Sequence, residues 1–121
     1  MPKKVLIVDD STTTFRQLQK VLDTDAQNFE VVGHAVNGED AVAKFQELHP
    51  DIITMDIVMP GLDGVEAVKR ILAIDKSAKI VIVSSMGGVR EKMVAALTAG
   101  AKSVITKPFD APQVLETLRK L

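Results

Sequence analysis

The sequence predicts an α/β fold, a single (βα)5 doubly wound parallel sheet. Short, unbroken apolar runs rich in β-branched residues alternate with longer amphipathic stretches, the pattern of strands buried on both faces between crossover helices. The chain has 121 residues, the size of one domain. It contains no internal repeat, low-complexity tract or linker. Residues 1–121 are therefore expected to form one domain.

Five segments have the length and composition of buried strands: 4–8, 30–35, 51–55, 79–83 and 103–106. The second segment is the weakest, because Gly33 and His34 interrupt its apolar pattern. Connections between parallel strands pass through helices and place functional groups beyond the carboxyl ends of the strands. Functional residues are therefore expected at those ends.

Each strand is followed by a stretch with apolar residues at helical spacing, which predicts a helix with one face toward the core. The five faces are Phe15, Leu18 and Leu22; Ala41, Val42, Phe45 and Leu48; Val65, Val68 and Leu72; Val89, Met93, Ala96 and Leu97; Val114, Leu115, Leu118 and Leu121. The last helix is expected to reach the final residue.

Residues typical of helix ends occur at the expected boundaries. Asp63 with Glu66 three positions later resembles a capping box at the start of the third helix. Gly100 stands where a left-handed residue would end the fourth helix. Asp110, with Pro112 in the first turn, is expected to begin the fifth.

Composition and charge exclude several classes of function. Fifteen Lys and Arg residues against sixteen Asp and Glu residues give a net charge of −1, so direct binding to nucleic acid is not expected. The apolar runs are far shorter than the ~20 residues of a membrane helix, so no membrane insertion is expected. The chain has no cysteine, which fits a reducing compartment, and we expect a cytoplasmic protein.

Polar residues follow four of the five predicted strands. Asp9 and Asp10 follow the first strand, Asp56 the third and Ser84 the fourth, while the fifth leads into Lys107. Three carboxylates at one edge repel one another unless a cation neutralises them. With only oxygen ligands available, Mg²⁺ is the favoured ion.

A magnesium site beside a carboxylate points to phosphoryl chemistry. Asp56 ends the central strand of the set, and its carboxylate could attack phosphorus and hold the group as an aspartyl phosphate. Lys107 and the hydroxyl of Ser84 would stabilise charge on the phosphoryl oxygens. Ser84 is preferred to Ser85 because it directly follows the apolar run. His34 and His49 have no partner evident in the sequence and are interpreted as structural or surface residues.

Four segments, 8–11, 55–64, 83–85 and 106–109, together resemble the signature blocks of bacterial response-regulator receiver domains of the CheY type. The resemblance spans the chain and implies the strand order 2-1-3-4-5 of that family. It also implies that a sensor histidine kinase phosphorylates Asp56, and that Asp10, Asp56 and the Val58 carbonyl bind Mg²⁺, with Asp9 acting through a water of the ion. Ser84 and Lys107 would bond the phosphoryl group.

The same resemblance implies a signalling domain rather than an enzyme. Its helix 4 and strand 5 face would change for binding an unidentified downstream protein in two-component signalling, with chemotaxis as a candidate process. A monomer is expected. Receivers usually carry an aromatic residue three positions before the lysine, whereas this chain has Val104 and neither Tyr nor Trp. Signalling is therefore expected to proceed by repacking of residues 84–88, helix 4 and strand 5.

Apolar Val58 and Met86 occupy the positions two after Asp56 and two after Ser84. We expect them to flank the path by which water reaches the phosphoryl group, which predicts a long-lived phosphorylated state.

Three alternatives remain open at this point. The chain could be the receiver of a longer regulator with a DNA-binding or methylesterase effector, since residues 83–85 and 105–108 are also similar to receivers of chemotaxis methylesterases. An Asp-nucleophile phosphatase would require an Asp-x-Asp motif, whereas Asp9 and Asp10 are adjacent. A flavodoxin-like FMN carrier would require a phosphate-binding loop after the first strand and aromatic rings, and neither is evident.

Overall fold

The computed structural model describes residues 2–57, 64–85 and 90–121. Strands and helices alternate throughout these ranges, which confirms the predicted α/β class. The elements are β1 Lys3–Val8, α1 Thr12–Asp23, β2 Phe29–Ala35, α2 Gly38–Leu48, β3 Ile52–Met55, α3 Gly64–Ile74, β4 Lys79–Ser85, α4 Arg90–Ala99, β5 Ser103–Lys107 and α5 Ala111–Arg119.

The five strands form one parallel sheet in the order β2-β1-β3-β4-β5, as the resemblance implied. At the carboxyl end of β1, Val8 pairs with Ala35 of β2 on one side and with Met55 of β3 on the other. On the far side of the sheet, Ser85 of β4 pairs with Lys107 of β5. These pairings bring the polar residues of the four strand ends to the same edge.

Alternate residues of each central strand bury into two separate cores, which explains why the strands are apolar without interruption. Residues of α2, α3 and α4 cover one face, which includes Leu6, Val8, Ile53, Met55, Ile80 and Ile82. Residues of α1 and α5 cover the other, which includes Val5, Ile7, Ile52, Val81, Val83 and Ile105.

The irregularity predicted for β2 is a shift of register rather than a break. Val5 pairs with Val31 but Leu6 pairs with Gly33, so that one extra residue is accommodated in β2. Beyond this shift, His34 lies opposite Ile7 of β1. The strand therefore continues to Ala35, with its residues after Val31 paired one position further along than before the shift.

Two sequence expectations for the helices were wrong in detail. Leu97, assigned to the core face of α4, is 43% exposed, and its neighbour Val94 is 56% exposed, while Met93 and Ala96 are buried. The reason is that α4 carries apolar residues around most of its circumference, so spacing alone did not identify the buried face. α5 ends at Arg119 rather than at the final residue.

The helix ends agree with their predicted caps where they are described. Gly100 has φ +125°, and its N–H donates to the carbonyls of Ala96 and Leu97 at the end of α4. The Asp110 carboxylate accepts the Gln113 N–H at 2.8 Å at the start of α5. The predicted capping residue Asp63, and Val89 of the predicted α4 face, lie outside the described residues.

In the parts of the chain that the structure covers, no helix has the length and apolar character needed to cross a bilayer.

Candidate functional site

Three carboxylates converge beyond the carboxyl ends of β1 and β3. Asp9 and Asp10 follow β1 directly, and Asp56 follows β3. One carboxylate oxygen from each of the three lies within 4.8 Å of the others. Asp9 is 1% exposed and Asp56 7% exposed, whereas Asp10 is exposed to solvent. The cluster therefore has two buried members and one open one.

Lys107, the last residue of β5, supplies positive charge to this cluster. Its Nζ donates to Asp9 Oδ2 at 2.9 Å and lies 3.6 Å from Asp56 Oδ2. The lysine side chain is 23% exposed, so it contacts the acidic residues from the solvent boundary. One ammonium beside three carboxylates leaves negative charge in excess, which favours a further cation.

Ser84 meets Asp56 from the neighbouring strand. The Ser84 hydroxyl donates to Asp56 Oδ1 at 3.2 Å, and the side chain is buried. The Asp56 carboxylate therefore has the hydroxyl at one oxygen and the Lys107 ammonium near the other. Its own backbone N–H donates to the carbonyl of Val8 at 2.9 Å, which ties the end of β3 to the end of β1.

Hydrogen bonds fix both the backbone N–H and the carboxylate oxygens of Asp9. Its N–H donates to the Ala35 carbonyl at 2.9 Å, and its Oδ1 accepts the Ser11 N–H at 2.8 Å. Lys107 donates to Oδ2. Ser11 is in turn the N-cap of α1, its hydroxyl accepting the Thr14 N–H. The start of α1 and the position of the buried carboxylate are thus fixed together.

Glycine at position 64 permits the close approach of α3 to Asp56. The Gly64 N–H donates to the Ile57 carbonyl at 3.1 Å. A Cβ at position 64 would overlap the carbonyl oxygen of Asp56 and lie 2.7 Å from the Cα of Ile57. Any larger residue must therefore displace the backbone that carries the Asp56 side chain.

His34, interpreted from the sequence as a structural or surface residue with no evident partner, contacts this region in the structure. Its Nε2 donates to the Asp9 carbonyl oxygen at 2.7 Å, and its ring stacks on Phe15 with centroids 4.1 Å apart and planes 6° apart. The register shift in β2 brings His34 beside β1. The register of β2 against β1 cannot be read from the sequence, so the sequence alone gives no sign of this contact.

Five of the six predicted site residues meet in the structure: Asp9, Asp10, Asp56, Ser84 and Lys107. The sixth, Val58, lies outside the described residues, as does Met86. The predicted roles of these two residues therefore stay predictions. Val104 of β5 is partly buried and packs against the core beneath α2, α3 and α4.

The donor set suits a hard divalent cation. Asp9, Asp10 and Asp56 offer only carboxylate oxygens, with no His or Cys ligand among the clustered residues, and a ligand set of this kind suits Mg²⁺. The exposed carboxylate of Asp10 leaves one side open to solvent, where water and phosphate oxygens could complete the coordination.

A doubly wound parallel sheet with acidic residues, a lysine and a serine at the carboxyl ends of its strands defines a flavodoxin-like domain with a site suited to phosphoryl groups. The chain belongs to the response regulator receiver domain family, which matches residues 5–119. This is a family of signalling domains, and the assignment confirms the resemblance based on the sequence motifs.

Individual relatives of the chain agree with this family assignment. The chain is 47% identical to a chemotaxis protein CheY of Thermotoga maritima over 121 residues, covering 100% of this chain and 98% of the relative. The response regulator domain of Thermotoga maritima CheB superposes with a TM-score of 0.89 at 38% identity, covering 99% and 96% of the two chains. CheY in a CheX-CheY-BeF3-Mg²⁺ complex of Borrelia burgdorferi gives 0.90 at 35% identity, covering 99% and 89%.

The chain is therefore a CheY-like receiver domain of a response regulator, rather than a phosphatase or a flavin carrier.

Proposed function

We propose that this receiver takes up a phosphoryl group on the carboxylate of Asp56, delivered by the phosphohistidine of a sensor histidine kinase. The observation that supports this most directly is the environment of Asp56. Its two carboxylate oxygens face a hydroxyl at 3.2 Å and an ammonium at 3.6 Å, beside two further carboxylates. Such an arrangement has a nucleophile, donors for developing charge and ligands for a cation in one place.

In the proposed transfer, an Asp56 carboxylate oxygen forms a bond to phosphorus while the bond from phosphorus to the histidine nitrogen breaks. The nitrogen leaves with the bonding electron pair, and the product is an acyl phosphate on Asp56. Ser84 already donates to Asp56 Oδ1, and its hydroxyl would turn to a phosphoryl oxygen of the product. Lys107 would move from Asp9 toward the same group over a short distance.

Asp9, Asp10 and Asp56 would hold Mg²⁺, together with the carbonyl that the family resemblance assigns to Val58. When bound, the ion supplies charge neutralisation for the carboxylates and the phosphoryl oxygens. Without it, a phosphate donor would approach a site in which carboxylates outnumber the ammonium, which disfavours the encounter.

Phosphorylation would convert this site into a switch for a partner protein. The acyl phosphate carries roughly two negative charges, and moving an equilibrium from 1:99 to 99:1 takes ~5.5 kcal/mol of differential stabilisation. Several charge-assisted bonds to Ser84, Lys107 and the ion are enough to supply it. The exposed side chains of Val94 and Leu97 on α4 support the helix 4 and strand 5 face as the partner surface. By likeness to the CheY relatives, the process would be chemotaxis.

The experiment is phosphorylation with acetyl phosphate and Mg²⁺, followed by mass spectrometry, on the wild-type chain, Asp56→Asn and Asp23→Asn. Asp23 is an exposed carboxylate at the far end of α1 and serves as the matched control. We expect one phosphoryl group on the wild type and on Asp23→Asn, none on Asp56→Asn, and none after chelation of Mg²⁺. Acid-stable or undiminished phosphorylation of Asp56→Asn would place the acceptor elsewhere.

A further inference from the structure

The ring of His34 bridges the β1–α1 turn that carries the acidic pair. From β2, its Nε2 donates to the carbonyl oxygen of Asp9 at 2.7 Å. Because a carbonyl can only accept, the Nε2 atom must carry the proton. The ring also lies flat on Phe15 in the first turns of α1, with centroids 4.1 Å apart. Two contacts of different kinds thus fix both the position and the direction of the N–H bond.

The bonded carbonyl belongs to the peptide group that joins Asp9 to Asp10. That group is planar, so fixing the direction of the carbonyl fixes the plane that leads to the Cα of Asp10. The carboxylate of Asp9 is already anchored by Ser11 and Lys107. Asp10 is exposed, and the structure shows no comparable side-chain anchor for it among the described contacts. The peptide plane therefore sets the position of the Asp10 Cα, from which its carboxylate reaches the cluster.

The geometry points to His34 as a positioning residue that sets the Asp10 carboxylate for cation binding through the Asp9–Asp10 peptide plane. This inference rests on the proposed function of the acidic cluster and adds to it a residue outside the cluster. His34 touches neither the acceptor carboxylate nor an incoming group, so its effect falls on the affinity for Mg²⁺ rather than on the chemistry at Asp56. Groups that hydrogen-bond a ligand directly are typically worth ten- to a hundredfold in metal affinity, and His34, which acts through the adjoining peptide group, is expected at the lower end of that range.

A merely structural role makes a different prediction. If the histidine only packed β2 against α1, replacing it would change the unfolding temperature and leave the affinity of the folded chain for Mg²⁺ unchanged. Two substitutions separate the contacts that the ring makes. His34→Phe keeps a ring to stack on Phe15 and removes the N–H donor, whereas His34→Gln keeps an N–H donor and removes the ring.

The test is calorimetric titration of the metal-free chain with Mg²⁺, together with acetyl phosphate labelling rates over a range of Mg²⁺ concentrations. We expect the dissociation constant of His34→Phe to rise roughly tenfold, and that of His34→Gln to stay within about threefold of the wild type. The Mg²⁺ concentration that gives half the maximal labelling rate should rise in parallel. The rate at saturating Mg²⁺ should stay within about twofold, because the chemistry at Asp56 is untouched.

His49→Asn is the matched control. His49 is the other histidine, it caps α2 with φ 49°, and asparagine tolerates that conformation, so no change in Mg²⁺ affinity is expected. Thermal unfolding of each metal-free variant shows whether it is folded. Should His34→Phe unfold, Phe15→Leu replaces it in the test. It removes the support of the ring, and the dissociation constant for Mg²⁺ is expected to rise about threefold.

An unchanged affinity in folded His34→Phe, or in Phe15→Leu where that variant replaces it, overturns the inference. An equal loss in His34→Phe and His34→Gln also does, because the N–H would then not be the operative group. These outcomes differ from a failure of the proposed function. If the proposed function is wrong, the wild-type chain itself will take up no Mg²⁺ and no phosphoryl group, and both proposals will be contradicted.

Discussion

The ammonium of Lys107 is hydrogen-bonded to Asp9 and forms a longer ion pair with Asp56. Its Nζ lies 2.9 Å from Asp9 Oδ2 and 3.6 Å from the nearer oxygen of Asp56. The lysine thus neutralises the most deeply buried carboxylate of the cluster and remains within a short movement of the proposed acceptor. Its removal should have two opposite effects, one on the stability of the metal-free chain and one on cation binding.

Lys107→Met should destabilise the metal-free chain by about 1–3 kcal/mol, because it leaves the buried Asp9 carboxylate without its cation. The same change should tighten Mg²⁺ binding roughly tenfold, because the ion would no longer share the acidic cluster with a positive charge. Urea unfolding and calorimetric titration measure the two quantities. Lys76→Met, at an exposed turn, is the control and should change neither. Weaker Mg²⁺ binding in Lys107→Met would contradict this account.

Ser84→Ala should slow labelling of Asp56 about tenfold, since it removes the hydroxyl that donates to Asp56 Oδ1. Ser84→Thr, which keeps a hydroxyl, should restore most of the rate. Ser85→Ala is the control from the next position, whose side chain is exposed. Rates are measured with acetyl phosphate at saturating Mg²⁺. A larger effect at Ser85 than at Ser84 would show that Ser85, rather than Ser84, supplies the hydroxyl for phosphorylation of Asp56.

Gly64→Ala should lower both stability and labelling, because the added Cβ collides with the backbone of Asp56 and Ile57. A loss of about 1–3 kcal/mol is typical of such overpacking. Gly100→Ala is the comparison, since it strains a residue with φ +125° beyond the end of α4. Both variants are expected to unfold at lower urea concentration, but only Gly64→Ala should label slowly while still folded. Equal labelling rates in the two would rule out a specific effect on Asp56.

Thr54→Val should stabilise the chain by about 1 kcal/mol. The Thr54 hydroxyl is buried in β3 and has no hydrogen-bond partner among the described residues. Valine has nearly the same shape and removes an unsatisfied polar group. Thr54→Ala, which also removes a methyl group, should be less stable than Thr54→Val because it leaves a cavity. The urea concentrations at half-unfolding of the wild type and the two variants give the comparison. A destabilised valine variant would show that the Thr54 hydroxyl is hydrogen-bonded in solution.

The ionisation of Asp40 is expected to make the stability of the folded chain depend on pH. The hydrogen bond from Lys44 lowers the pKa of the Asp40 carboxyl, burial opposes this, and the Val36 N–H adds to the lowering. A carboxyl whose pKa is lower in the folded chain adds stability above its ordinary pKa of 3.8, and that stability is lost as the pH falls through the folded value.

Asp40→Asn should therefore cost about 0.5 kcal/mol at neutral pH, in line with a partly exposed i,i+4 pair. The difference from the wild type should narrow as the pH falls below the ordinary carboxyl pKa of 3.8 and the wild-type carboxyl becomes protonated. Urea unfolding of both chains across this range gives the comparison. A difference that stays constant with pH would show that the ionised form of Asp40 is not what stabilises the chain.

The local pattern of residues was sufficient for the fold class and for most of the site. Apolar runs of strand length and amphipathic stretches are local signals, and Asp9, Asp10, Asp56, Ser84 and Lys107 each follow or end such a run. Since parallel strands place their carboxyl ends at one edge, the alternation of elements puts these residues at that edge, and the strand order implied by the family resemblance makes them neighbours.

Other features depended on contacts between segments distant in the sequence. The bond from His34 to Asp9 requires the register shift between β2 and β1, and the demand for glycine at position 64 requires the approach of α3 to Asp56. The exposure of Leu97 depends on which side of α4 meets the sheet. Register and packing are set by the summed contacts of whole elements, and so only the tertiary structure decided them.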